Sequence, residues 1–194
     1  MIKRLPTQIK LPNSIYTVQF KSLDAPQTNF GDFSLIDYSI ILPKCTTIYS
    51  KYQYFLFISH CIASTYCLTV TPPILSTISF IMYSLCEKNN ILKLFNQCKS
   101  TSKLSAVIEV YPFHLNVRYG KDDEFDENGL GTFSPKIQEI LIRASVPWDV
   151  KCVVLLHEFF EWVNSIFYIK MRHSDIQTFA EGWTFVLRMN SFTT

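Results

Sequence analysis

Apolar and polar residues alternate in "IYTVQF" (Ile15 to Phe20) and again in "HLNVRY" (His114 to Tyr119), the two-residue period of a half-buried β-strand. Each is followed by a second strand-like block, "GDFSLIDYSIIL" (Gly31 to Leu42) and "GTFSPKIQEILI" (Gly131 to Ile142). Beyond each block the period lengthens to that of helices. The first half continues through apolar pieces at Tyr54 to Val70 and Ile74 to Cys86, and the second through stretches at about 147 to 167 and 174 to 188. The order strand, loop, strand, helix, helix therefore runs twice.

The two runs align without a gap in the second strand block, where Gly31 meets Gly131, Phe33 meets Phe133, Ser34 meets Ser134 and Ile40 meets Ile140. Downstream, "YFLFISHCIAS" answers "CVVLLHEFFEW", and "PPILSTISFIMYSL" answers "HSDIQTFAEGWTFVL". This self-similarity predicts a tandem duplication. The expected fold is α+β, two strand-strand-helix-helix units packed as a pseudo-dimer. The first spans 1–105 and includes the Asn/Lys/Ser-rich linker "EKNNILKLFNQCKSTSK"; the second spans 106–194.

Charge sharpens the division. Residues 1–105 carry ten Lys/Arg against four Asp/Glu, and 106–194 carry eight against twelve, so the halves are +6 and −4 within a net +2. The lysines are scattered rather than clustered, which argues against nucleic-acid binding. From Tyr52 to Cys86 there is no Asp, Glu, Lys or Arg. Pro72-Pro73 divides that run into pieces shorter than the about 20 residues of a membrane span, so two buried core helices are expected in place of a membrane hairpin. The six cysteines form no C-x-x-C pair and the first residues lack an apolar signal core, so reduced thiols in a cytoplasm are expected.

The helix starts of the second half are legible. Pro147 suits a first helical turn, and "SDIQ" places Ser174 at an N-cap with Gln177 three residues on, a capping box. On the first of these helices, at about 100° per residue, His157, Glu161 and Asn164 share one narrow face. No lysine falls between Lys151 and Lys170, unlike an ordinary solvent face. Residues at i and i+4 project side by side, so an imidazole at 157 and a carboxylate at 161 can close on one zinc ion. Glu158 would stand where H-E-x-x-H enzymes keep their general base. In the first half Ser59 and His60 stand opposite this motif and Thr71 opposite His173, so a metal site is not expected there. A single imidazole cannot hold zinc, and His60 reads as a core histidine. His114 reads as a half-exposed strand residue, and "KDDEFDENG" as a solvated acidic loop without calcium-loop spacing.

These residues resemble the small zincin-like, SprT-like metallopeptidase-related proteins encoded by many phages. The corresponding segments are "GTFSPKIQEILI", the proline-started helix "VPWDVKCVVLLHEFFEWVN" and "HSDIQTFAEGW". The resemblance implies an α+β fold and a zinc site on His157 and Glu161, with a third ligand from around the last helix. Two candidates stand for that ligand: the resemblance favours Glu181, whereas helical rotation, which turns Glu181 off the face of Ile176, Ala180, Trp183 and Leu187, favours His173. Glu161 replaces the usual second histidine, so weak or no cleavage of generic peptides is expected.

Two functions follow. One is a zinc peptidase in which His157, Glu161 and His173 or Glu181 hold the ion and Glu158 is catalytic, acting on a peptide in a host cytoplasm. The other is a non-catalytic duplicated scaffold that binds a partner protein or virion component.

Overall fold

The computed structural model describes residues 6–21, 32–34, 37–43, 48–97, 105–110 and 112–190. The chain forms two compact units, residues 1–83 with 185–194, and residues 84–184. The repeat boundary expected at 105/106 falls inside the second unit, which begins at Ser84, and the last residues of the chain join the first unit.

The fold is α+β, with each sheet followed by a pair of helices. In the first unit β1 (Gln8–Leu11), β2 (Ser14–Lys21), β3 (Asp32–Ser34) and β4 (Ser39–Pro43) form a four-stranded sheet in the order β1-β2-β4-β3. β2 and β4 are parallel, and the outer pairs are antiparallel. Helices α1 (Ile48–Thr65) and α2 (Pro72–Lys88) follow, then a short α3 (Ile91–Gln97) inside the segment expected to be a plain linker. Ile91, Leu94 and Phe95 are buried, and this apolar face makes the segment helical.

The second sheet repeats the plan. β5 (Ser105–Val110), β6 (Phe113–Gly120), β7 (Gly131–Ser134) and β8 (Glu139–Arg143) run in the order β5-β6-β8-β7, again with the parallel pair in the middle. Helices α4 (Trp148–Ile166) and α5 (His173–Met189) complete the set. Each unit therefore has four strands where two were expected. The block "GTFSPKIQEILI" is a hairpin: Pro135 ends β7, and Gln138, at φ 50°, turns the chain into β8. Its counterpart Tyr38, at φ 47°, stands before β4. Their carbonyls accept equivalent bonds, from Thr17 N (2.8 Å) and Asn116 N (2.9 Å). Gly31, Leu35 and Ile36 of the first block lie outside the described residues.

Both sheets bury one face. Ile9, Leu11, Tyr16 and Val18 alternate inward in the first, and Ile108, Leu115, Val117 and Ile140 in the second, the pattern of antiparallel edges wet on the other side. Each sheet also has one outer strand capped by an asparagine. Asn190 Oδ1 accepts from Lys10 N (2.8 Å) and its amide donates to Lys10 O (3.3 Å) on β1. Asn89 makes the same pair with Glu109 on β5 (2.6 and 3.0 Å). An unpaired strand edge is a template for aggregation, and the amide satisfies both backbone groups there.

No helix among the described residues is long and apolar enough to cross a membrane. Cys61, Cys67, Cys86 and Cys152 are free thiols; Cys45 and Cys98 lie outside the described residues. The acidic run is pinned by cations. Arg118 pairs with Glu124 (2.8 Å) and Arg143 donates to the Asp126 carbonyl (2.8 Å). His114 is exposed on β6.

Candidate metal centre

The site lies in the second unit, where α4 crosses β7 and β8. Close approach of helix and strand requires Gly131. A Cβ there would collide with Val154 Cγ1 and stand 3.0 Å from Glu158 Cγ and 3.1 Å from its Oε1. α4 starts at Trp148, one position later than expected, with Pro147 as its N-cap, and its first-turn bond runs from Lys151 N to Pro147 O (2.9 Å). The helix is buried nearly all round, and His157 is among its buried residues.

The connection to α5 is set by Asn164, the third member of the polar face. Its side chain accepts from Met171 N (2.9 Å) and donates to Met171 O (3.3 Å), so it fixes the backbone two residues before His173. Asn164 is thus a positioning residue. Tyr168 and Lys170, at φ 51° and 61°, make the turn between the helices.

The capping box expected at Ser174 and Gln177 is absent. α5 starts one residue earlier, at His173: the N–H groups of Asp175 and Ile176 reach Arg172 O (3.0 and 3.1 Å), and the Asp175 carboxylate pairs with the Arg172 guanidinium (2.9 Å). The Asp175 carboxylate, paired with the Arg172 guanidinium, lies in the first turn near the helix's positive end. His173 is therefore on the helix, not in a freer segment before it.

His173 Nδ1 lies 2.6 Å from Glu161 Oε1, and the same oxygen lies 3.9 Å from His157 Nε2. The two imidazoles meet edge to face, with centroids 4.7 Å apart. One ligand atom from each of His157, Glu161 and His173 lies within 4.8 Å of the others. Tetrahedral zinc with bonds of about 2.0–2.1 Å holds its donors roughly 3.4 Å apart, so the 2.6 Å contact of His173 with Glu161 would open and the 3.9 Å separation of His157 and Glu161 would close. His173, 75% exposed, has room for that movement. Two histidines and one carboxylate are the donor set of hydrolytic zinc sites, here with the carboxylate at i+4 in place of histidine. These residues fit the ion. The buried His157 Nδ1 has no hydrogen-bond partner, so the ring is held by packing and by its site-facing edge.

The other candidate for third ligand stands outside this group, although its charge acts on His157. Glu181 is exposed on α5, and its Oε1 accepts from Gln177 Nε2 (2.7 Å), a residue that the sequence marked only as a cap. Ile176, Ala180, Trp183 and Leu187 form the buried face of α5, as helical rotation required.

Glu158 is not one of the clustered ligand residues. Burial, and after it the Glu161 carboxylate, push it up to about 7, while His173 and the Phe133 backbone N–H on β7 pull the other way. Burial, then the neighbouring His173, hold His157 below the ordinary histidine range, with Glu161 opposing. The sequence had no signal for the roles of Phe133 or Gly131, since both act through backbone or through lack of a side chain.

The first unit has the same helix pair without this chemistry, and in a different register from that expected. Tyr66 N bonds Ile62 O as Phe167 N bonds Val163 O, and Leu68 N bonds Ala63 O as Ile169 N bonds Asn164 O. Cys67 and Tyr168 share a left-handed φ (53° and 51°), and α2 and α5 are both 17 residues long. On these marks Leu56 stands for His157, Phe57 for Glu158, His60 for Glu161 and Pro72 for His173. Ser59 and Thr71, expected at the motif, stand elsewhere; the Ser59 hydroxyl is in the helix interface, bonded to Ser79 (2.8 Å). His60 is half-buried, and burial lowers its pKa.

No protein-family model matches the chain, and no curated protein or solved structure matches it.

Proposed function

We propose that the second unit is a zincin-like zinc site with hydrolytic, peptidase-type chemistry, weak against generic peptides. The observation that carries this reading is the convergence of His157, Glu161 and His173 from two helices on one point, with Glu158 beside it but outside the ligand set. A zinc ion held there supplies Lewis acidity, polarising a carbonyl and making water more acidic. Glu158, with a pKa near neutrality, takes a proton from attacking water and returns it to the leaving amine. The missing side chain at Gly131 lets Glu158 lie against β7. Metal analysis of the purified protein tests the reading: about one zinc per chain is expected, falling to none in His157→Ala. Glu161→His should keep or tighten binding, because it puts the commoner donor at the same projection. Equal zinc in wild type and His157→Ala overturns the site.

A second reading is a non-catalytic scaffold for a partner protein. It is favoured by the 2.6 Å contact of His173 with Glu161, which partners both groups without a metal.

A further inference from the structure

A cleft of about 260 Å³ opens in the first unit between the start of β2, the turn before β4 and the end of α1. Asn13, Ser14, Tyr16, Tyr38, Ser64 and Thr65 line it. The second unit shows why it is open. At the equivalent first residue of its strand stands Phe113, and at the position of Cys61 stands Trp162. Those two rings meet edge to face at 5.8 Å, Trp162 meets Phe167 at 6.5 Å, and its indole N–H donates to Gln138 (2.8 Å). The same corner of the fold is thus packed solid in one unit. In the other, serine and cysteine replace the two largest side chains, and tyrosine replaces Gln138.

Two of the three replacements, Ser14 and Tyr38, bear hydroxyls, so this is not an ordinary shrinking of a core. Five hydroxyls and one amide line the space, and no lining residue is charged. Tyr16 is buried and Tyr38 is 47% exposed, and their rings stand at 71° with centroids 5.3 Å apart, an aromatic corner. Tyr38 is held there with φ 47°, a costly conformation for a ring-bearing residue. The Ser14 and Thr65 hydroxyls stand against the Tyr16 phenol, so the polar wall of the cleft is ordered before a ligand arrives.

We infer that this cleft binds a neutral, monosaccharide-sized polyol, in particular a pyranose ring. A pyranose offers many hydroxyls to Asn13, Ser14, Ser64 and Thr65 and an apolar C–H face to the tyrosine corner, and it has no charge needing a counter-ion. A cation would be drawn to the carbonyl end of α1, but those carbonyls are already taken: Ile62, Ala63 and Ser64 accept from Tyr66, Leu68 and Cys67. The site is independent of the metal centre, with which it shares no residue.

The test is a titration of the full chain with glucose, galactose, mannose and N-acetylglucosamine, followed by amide shifts of residues 13–16, 38 and 64–65. At least one sugar is expected to move these amides and leave those around His157 in place. Ser14→Phe, which installs the second unit's ring, should weaken that binding by about tenfold or more. If Ser14→Phe does not fold, Thr65→Val keeps the volume and removes one hydroxyl, and weaker binding is again expected. The inference is overturned if no sugar moves these amides, if binding is unchanged in the variant that folds, or if choline alone moves them.

Discussion

The two units share strand order, parallel centre, left-handed turn residue, paired helices and an asparagine-capped edge strand. They differ in what hangs from that frame. Where the second has His157, Glu158, Glu161 and His173, the first has Leu56, Phe57, His60 and Pro72 on the corresponding turns. Where the second has Phe113 and Trp162, the first has Ser14 and Cys61. The frame therefore depends on neither the polar cluster nor the aromatic corner. Each unit has closed one corner and opened the other, and function is read from those few positions rather than from the fold.

The largest effect that would break the comparison belongs to Glu158. As a general base it touches water and no metal, so Glu158→Gln should retain zinc and fold while lowering any chelator-sensitive peptide hydrolysis by about 10²–10⁴-fold. Phe57, its counterpart, has no proton to move. Equal rates in wild type and Glu158→Gln, measured with the same zinc content, would leave the scaffold reading in place.

The same carboxyl should mark the second unit in stability. Its folded pKa, about 7, lies above the roughly 4.3 of an unfolded glutamate. The native state binds the extra proton between those values, so the contribution is fully present below about pH 4.3 and is lost as pH rises through 7. His157 acts in the opposite sense: its lowered pKa costs stability as pH falls below the ordinary histidine range. In chelator-treated protein, Glu158→Gln should therefore be more stable than wild type at pH 8 by about 2 kcal/mol, allowing for its partial exposure, and not at pH 4. Urea midpoints at the two pH values check this; a gain of the same size at both would remove the link to ionisation.

Smaller still are the edge caps. Asn190→Ala and Asn89→Ala each strip a strand of its amide partner, at about 1–2 kcal/mol. Asn190 is buried and its bonds to Lys10 are partly so, whereas those of Asn89 to Glu109 are exposed. Water replaces the exposed pair more readily, so Asn190→Ala should cost more. The reverse order in urea unfolding would show that Asn89 supports more than an edge.

Much of this contrast was readable in the sequence. The doubled order of elements, both helix pairs, and the convergence of His157 with Glu161 follow from spacing alone. The hairpins did not show, because Gly131 to Ile142 reads as one apolar strand until Pro135 and the left-handed Gln138 are given their weight. The register between the repeats was read from residue likeness, which set Ser59 and His60 opposite His157 and Glu158; hydrogen bonds at the helix ends set Leu56 and Phe57 there. Helical rotation already set His173 apart from Glu181, but not where α5 begins: His173 is on the helix, whose first N–H bonds reach Arg172 O rather than a Ser174 cap. The open corner gave no signal at all, since a cavity arises from side chains that are small.

The smallest expected effect tests the most equal positions. Cys67 and Tyr168 both end a helix with φ near 50°, and both are exposed, Tyr168 to 83%. The residue after each donates back to the helix, Leu68 N to Ala63 O and Ile169 N to Asn164 O, so the left-handed residue is the device that ends the helix. A side chain there costs roughly 1–2 kcal/mol, and glycine gives part of that back through the larger freedom of the unfolded chain. Cys67→Gly and Tyr168→Gly should each stabilise the protein by about 0.5 kcal/mol, read as a small rise in urea midpoint. Equal gains would mean that the two turns are the same device. If Tyr168→Gly destabilises while Cys67→Gly does not, the tyrosine ring contributes to holding the loop that carries His173 toward Glu161, and zinc content in that variant should fall with it.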